Sequence, residues 1–247
     1  MPSVAAVMAQ LKSVGTEKTR VIHARHGMDA KRLLGVSVAD LKVIEKAIRK
    51  ELGKGKEAER QKLALGLYAT GVMDAMYLAG MLADGAKMTT DELRTWATGA
   101  AGLQMIGEYT VPWVTVENEA GQALAMEWVA SGVEHVAASG WCTYSGLVMT
   151  KADAELDLAE IQALLARIAK EIHGAQNRVK QTMNNFVIAV GSYVLPLAKD
   201  AKAAAAKIGP VSVDMGDTDC KVPLAAEYIA KVEARGKAGV KRKTIRC

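Results

Sequence analysis

The chain has 247 residues, half of them hydrophobic and 24% charged, enough apolar material for a core in one large domain or two small ones. That balance excludes a disordered or collagen-like polypeptide, and 4% aromatics with a single Phe against abundant Ala, Leu, Met, Lys and Glu exclude an all-β fold. The net charge of +5 is local: residues 231–247 hold seven basic side chains against one acid, Glu233, which leaves residues 1–230 at −1.

Apolar residues recur at helical spacing along most of the chain. Ser37 with Asp40 opens a helix whose stripe is Leu41, Ile44, Ala47 and Ile48 and which should stop near Gly53. Thr89-Thr90-Asp91-Glu92 is a capping-box pattern ahead of Leu93 and Trp96. Asp157 with Glu160 begins a helix carrying Ile161, Leu164, Leu165 and Ile168 toward Gly174. Residues 177–197 read as a more continuously apolar, buried helix, bent near Pro196. Residues 208–223, with Gly209-Pro210 and Gly216-Asp217, are non-helical, and a short helix over 224–234 precedes the basic end.

Ten to twelve helices with short connections predict an all-α fold, an α-solenoid of HEAT-like antiparallel helix pairs, with a compact irregular bundle as the alternative. The expected organisation is one helical domain over residues 1–230 and a flexible cationic tail over 231–247, suited to a polyanion. Cys142, Cys220 and Cys247 are too scattered for a disulfide framework or a zinc site. The longest apolar run, residues 186–198, is too short for a bilayer, and the start of the chain lacks the basic leader of a secretory signal. A soluble cytoplasmic protein without cofactor or membrane contact is expected.

Candidate polyanion contacts gather in two places besides the tail. Arg20, His23, Arg25, His26, Lys31 and Arg32 form one cluster, and Arg178 with Lys180 a smaller one. His23 and His26 have no evident third ligand, so a metal is not expected. Trp141 and Tyr144 fall in a Gly/Ser/Thr-rich stretch, residues 139–146; with Trp113 they either stack on nucleotides from a mobile loop or fill the core.

The stretch Leu34-Gly35-Val36-Ser37-Val38-Ala39-Asp40-Leu41-Lys42, the stretch Ala64-Leu65-Gly66-Leu67-Tyr68-Ala69-Thr70-Gly71 and the ending from Cys220-Lys221-Val222-Pro223 to Lys241-Arg242-Lys243-Thr244-Ile245-Arg246-Cys247 resemble the DNA alkylation repair proteins of the AlkD-like superfamily. The resemblance implies a curved solenoid of HEAT-like repeats whose concave basic surface holds duplex DNA. It also implies metal-free, monofunctional removal of N3- and N7-alkylated purines. An alkylated purine is already a good leaving group, so a carboxylate that stabilises the cationic sugar and positions a water suffices, with aromatic faces nearby.

Carried over residue by residue, the family's catalytic Trp-x-x-x-Asp falls on Gln104-Met105-Ile106-Gly107-Glu108, which makes Glu108 the candidate carboxylate. Trp113 is a candidate aromatic, and Tyr193, in Val190-Gly191-Ser192-Tyr193-Val194-Leu195, is another. The family's arginine pair falls on Ala137 and Ala138, in a stretch without arginine from Arg94 to Arg167. Phosphate contacts are expected from Arg20, Arg25, Lys31, Arg32, Arg178, Lys180, Lys241, Arg242 and Lys243. The leading reading is a glycosylase-like DNA alkylation repair protein. A catalytically silent relative that binds altered or branched DNA and a helical scaffold for a protein partner are the alternatives.

Overall fold

The computed structural model describes residues 2–246. Cys247 lies outside the described residues. Within them the chain forms thirteen α-helices and no strand. Two compact units account for the chain: residues 1–118 with 215–219, and residues 119–214 with 220–247.

The first unit holds α1 (Val4–Val14), α2 (Glu17–Arg25), α3 (Val38–Leu52), α4 (Glu57–Tyr68), α5 (Met73–Leu82), α6 (Thr90–Gly99) and α7 (Val111–Val116). The Ser37 hydroxyl accepts the Asp40 N–H at 3.1 Å to start α3, whose buried Leu41, Ile44 and Ile48 follow the expected stripe up to Gly53. Thr89 and Glu92 close the expected capping box of α6. α4 packs on α5, and Tyr68 of α4 stacks on Trp96 of α6 with centroids 4.0 Å apart. Asp74, fully buried in α5, accepts the backbone N–H groups of Leu34 and Val36, each at 2.7 Å. These charge-assisted bonds compensate the burial of its carboxylate and fix the Leu34–Ser37 motif.

The second unit holds α8 (Gly121–Val129), α9 (Glu134–Thr150), α10 (Leu158–Glu171), α11 (Asn177–Tyr193), α12 (Ala198–Ile208) and α13 (Ala225–Ala234). The Asp157 carboxylate caps α10, and Ile161, Leu164, Leu165 and Ile168 are all buried. α9 and α11 form the centre, flanked by α8 on one and by α12 and α13 on the other. α11 does not bend at Pro196 but ends at Tyr193. Val194 leaves helical geometry, and a short 3-10 turn, Leu195–Leu197, accommodates the proline at its start.

Residues 139–146 are not a loop. They are the middle of α9, with Trp141 and Tyr144 nearly inaccessible and packed edge-on against Phe186 at 5.4 and 5.5 Å. The hydroxyls of Ser139, Thr143 and Ser145 each donate to the carbonyl four residues earlier, at 2.7–2.8 Å, so a run of small polar residues can be buried as a helix. The final segment is seated on the second unit over residues 239–242, where the Gly239 and Arg242 N–H groups donate to carbonyls of Ser192 and Met149.

Candidate nucleic-acid interface

In the first unit, the connection from α2 to α3 is tied to two turns. Arg32 donates from Nε to the Gly71 carbonyl at 2.7 Å, from Nη1 to Ala101 at 2.7 Å and from Nη2 to Gly99 at 3.2 Å. Asp29 N–H donates to the Gly102 carbonyl at 3.1 Å, and Gln104 Nε2 donates to the carbonyl of His26. Arg32, expected on phosphate, therefore turns its fork inward as a structural tie.

The rest of the basic cluster divides by partner and exposure. Arg20 is held by both oxygens of Glu17 at 2.6 and 2.7 Å. Lys31 is exposed, as is Arg25, 3.7 Å from an almost fully exposed Asp217, a separation that constrains neither side chain. His23 is half-buried. Its burial holds the imidazole pKa below the ordinary 6.5, a fall that Asp74 opposes and His26 reinforces. His23 is thus a neutral packing group at neutral pH rather than a phosphate contact.

Glu108 sits on a π-helical turn, Ile106–Thr110, which leads straight into α7. Pro112 explains the turn. It has no N–H to donate to the carbonyl four residues back, that of Glu108, and the widened turn instead closes from Val111 N–H to Ile106. Glu108 is half-buried, Tyr109 beside it is 49% exposed, and Thr110 points into the core. Trp113 is only 2% exposed and meets Tyr77 edge-on at 4.9 Å, so it packs the core and offers no ring face to a ligand.

In the second unit, Arg178 and Lys180 lie half-buried at the start of α11, where the Arg178 N–H donates to the Glu134 carboxylate at 2.8 Å. Tyr193 is half-buried at the end of the same helix. A groove of about 490 Å³ runs between the α8–α9 loop and the α10–α11 turn, edged by Arg167, Lys170 and Gln176 over Val179 and Met183. Arg167 is bonded to Glu171 at 2.8 Å and lies over the Trp141 ring at 5.8 Å, while Lys170 is exposed. No short motif announces this groove, because residues 129–137 and 167–183 build it together. Lys241, expected on phosphate, is turned inward to the Val148 carbonyl and Asp153, each at 2.8 Å, whereas Arg242 and Lys243 are exposed.

Among the described residues no three His, Cys, Asp or Glu side chains gather as a metal site, and no helix is long and apolar enough to cross a membrane. A family model described as DNA alkylation repair enzyme matches residues 7–205. An uncharacterized protein of Listeria innocua serovar 6a is 30% identical over 229 residues, 92% of this chain and 95% of its own length. One from Listeria monocytogenes serovar 1/2a is 30% identical over 231 residues, 92% of this chain and 96% of its own. A solved structure is 33% identical and matches with a TM-score of 0.86 over the whole of both chains. It is described as a new family of proteins related to the HEAT-like repeat DNA glycosylases with affinity for branched DNA structures. With a family model over most of its length and a HEAT-like relative over all of it, the chain belongs to the DNA alkylation repair enzyme family.

Proposed function

We propose that the protein binds branched DNA through its phosphates and does not excise bases. The state of Gln104 carries this reading. It stands where the family's catalytic helix has tryptophan, and its amide is engaged with the His26 carbonyl. With Trp113 buried as well, neither position offers a ring to a sugar beside Glu108. The absence of arginine from Arg94 to Arg167 removes the usual cationic partner from that region. The affinity of the solved relative for branched DNA supports the choice of target. Arg25, Lys31, Arg178, Lys180, Arg242 and Lys243 are the side chains assigned to phosphate, and Tyr193 is the ring assigned to a neighbouring sugar.

One observation favours a second reading. Glu108, half-buried beside exposed Tyr109, has the setting of a carboxylate that could stabilise a cationic sugar during removal of N3- or N7-alkylated purines. The two are separated by measuring affinity for a four-way junction and for a duplex of the same sequence, together with release of N3-methyladenine and N7-methylguanine from alkylated duplex. The expected result is junction binding tighter by roughly tenfold, about 1.4 kcal/mol, falling steeply with salt, and no free base. Base release by the parent that Glu108→Gln abolishes would replace this reading with the second.

A further inference from the structure

The basic C-terminal segment is seated on the second unit by its backbone and by one of its own lysines. After α13 the chain turns at Gly236, and Gly239 N–H donates to the Ser192 carbonyl at 2.8 Å. Gly239 has φ +73°, where a side chain is strained, and a Cβ there would lie 2.6 Å from Cγ of the exposed Leu195, which would have to swing aside. Arg242 N–H donates to the Met149 carbonyl at 2.8 Å, and Lys241 Nζ reaches the Val148 carbonyl and Asp153 Oδ1, both at 2.8 Å. Val148 and Met149 lie in the last turn of α9, where carbonyls lack partners within the helix and a positive charge is favoured. Lys241 and the Arg242 amide therefore form the C-terminal cap of α9. Arg242 and Lys243 are exposed, the first on and the second next to the backbone that makes this cap.

We propose that the strap is a preorganised phosphate-binding ridge, with Arg242 and Lys243 as the contacts and Lys241, Asp153 and Gly239 as positioning residues. This rests on the reading of the protein as DNA-binding. A cation on fixed backbone loses less conformational freedom on meeting a phosphate than one on a mobile tail, so seating the strap raises affinity without adding charge. The consequence for Asp153 runs against simple electrostatics. Removing an acid from the surface of a polyanion-binding protein should strengthen binding, whereas unseating the strap weakens it.

The test measures binding of the full chain to a four-way junction over a range of salt concentrations, for the parent, Asp153→Asn, Gly239→Ala and the double variant Arg242→Ala/Lys243→Ala, with hydrogen exchange at the Arg242 amide. The double variant is expected to flatten the slope of log affinity against log salt by about one to two. Asp153→Asn and Gly239→Ala should each weaken binding severalfold, with faster exchange at Arg242 and unchanged total helicity. Unchanged or tighter binding by both single variants, while the parent binds, overturns the proposal and leaves the DNA reading standing. A parent that binds no DNA at any salt overturns that reading and the phosphate role together.

Discussion

Replacing Arg32 by alanine leaves the carbonyls of Gly71, Gly99 and Ala101 without the donor they share. The Gly71 carbonyl is part-buried, whereas those of Gly99 and Ala101 are exposed and can turn to water, so the expected cost is about 1–2 kcal/mol in denaturant unfolding. A side chain reserved for phosphate would cost about 0.5 kcal/mol or less. His23 gives a pH signature of its own. Because its folded pKa is below 6.5, the unfolded chain takes up its proton first as pH falls, and stability declines from neutral pH downward through that window. Thermal midpoints at about pH 7.5 and 5.5 should differ less in His23→Asn than in the parent. At this scale the sequence supplied residue types but not their partners. Arg25 and Arg32 look alike seven residues apart, yet one is exposed and the other is bound to three carbonyls that lie far along the chain.

Elements were more legible than residues where caps and stripes are local. α3, α6 and α10 start at Ser37, Thr89 and Asp157 as their capping residues predict, since cap and helix are neighbours in sequence. α9 was the hardest to read. Its Gly, Ser and Thr content resembles a loop until hydroxyl back-bonding and the approach of α8 are seen. A Cβ on Gly140 would lie 2.6 Å from the Val129 nitrogen and 2.9 Å from the Ala125 carbonyl oxygen. Gly140→Ala adds intrinsic helix propensity of about 1 kcal/mol, but the clash is with backbone and should prevail. The expected net effect is destabilisation by about 1–3 kcal/mol, checked by urea unfolding. The π turn at Glu108 had a sequence signal in Pro112, although a proline equally permits an ordinary helix end.

For the whole molecule, the all-helical class and the pairing of successive helices follow from composition and 3.6-residue periodicity, both of which are local properties. The division after residue 118, the membership of residues 215–219 in the first unit and the seating of the C-terminal strap all depend on pairings across long stretches of chain, for which one sequence contains no local sign. The candidate site was legible only in part for the same reason. The resemblance located Glu108, while the engagement of Gln104, the burial of Trp113 and the inward turn of Lys241 emerged only with the fold.

The return of residues 215–219 also bears on how the protein is made. Asp217 N–H donates to the Arg25 carbonyl at the end of α2, at 2.8 Å, yet the two are separated by more than three quarters of the chain. A ribosome adding roughly 5–20 residues per second releases α7 some 5–20 s before it reaches that aspartate. During this interval α8 to α12 of the second unit are made while the first is still missing its last segment. Completion of the N-terminal half is therefore tied to near-complete synthesis, and a nascent chain stalled before Asp217 would carry the end of α2 unclasped.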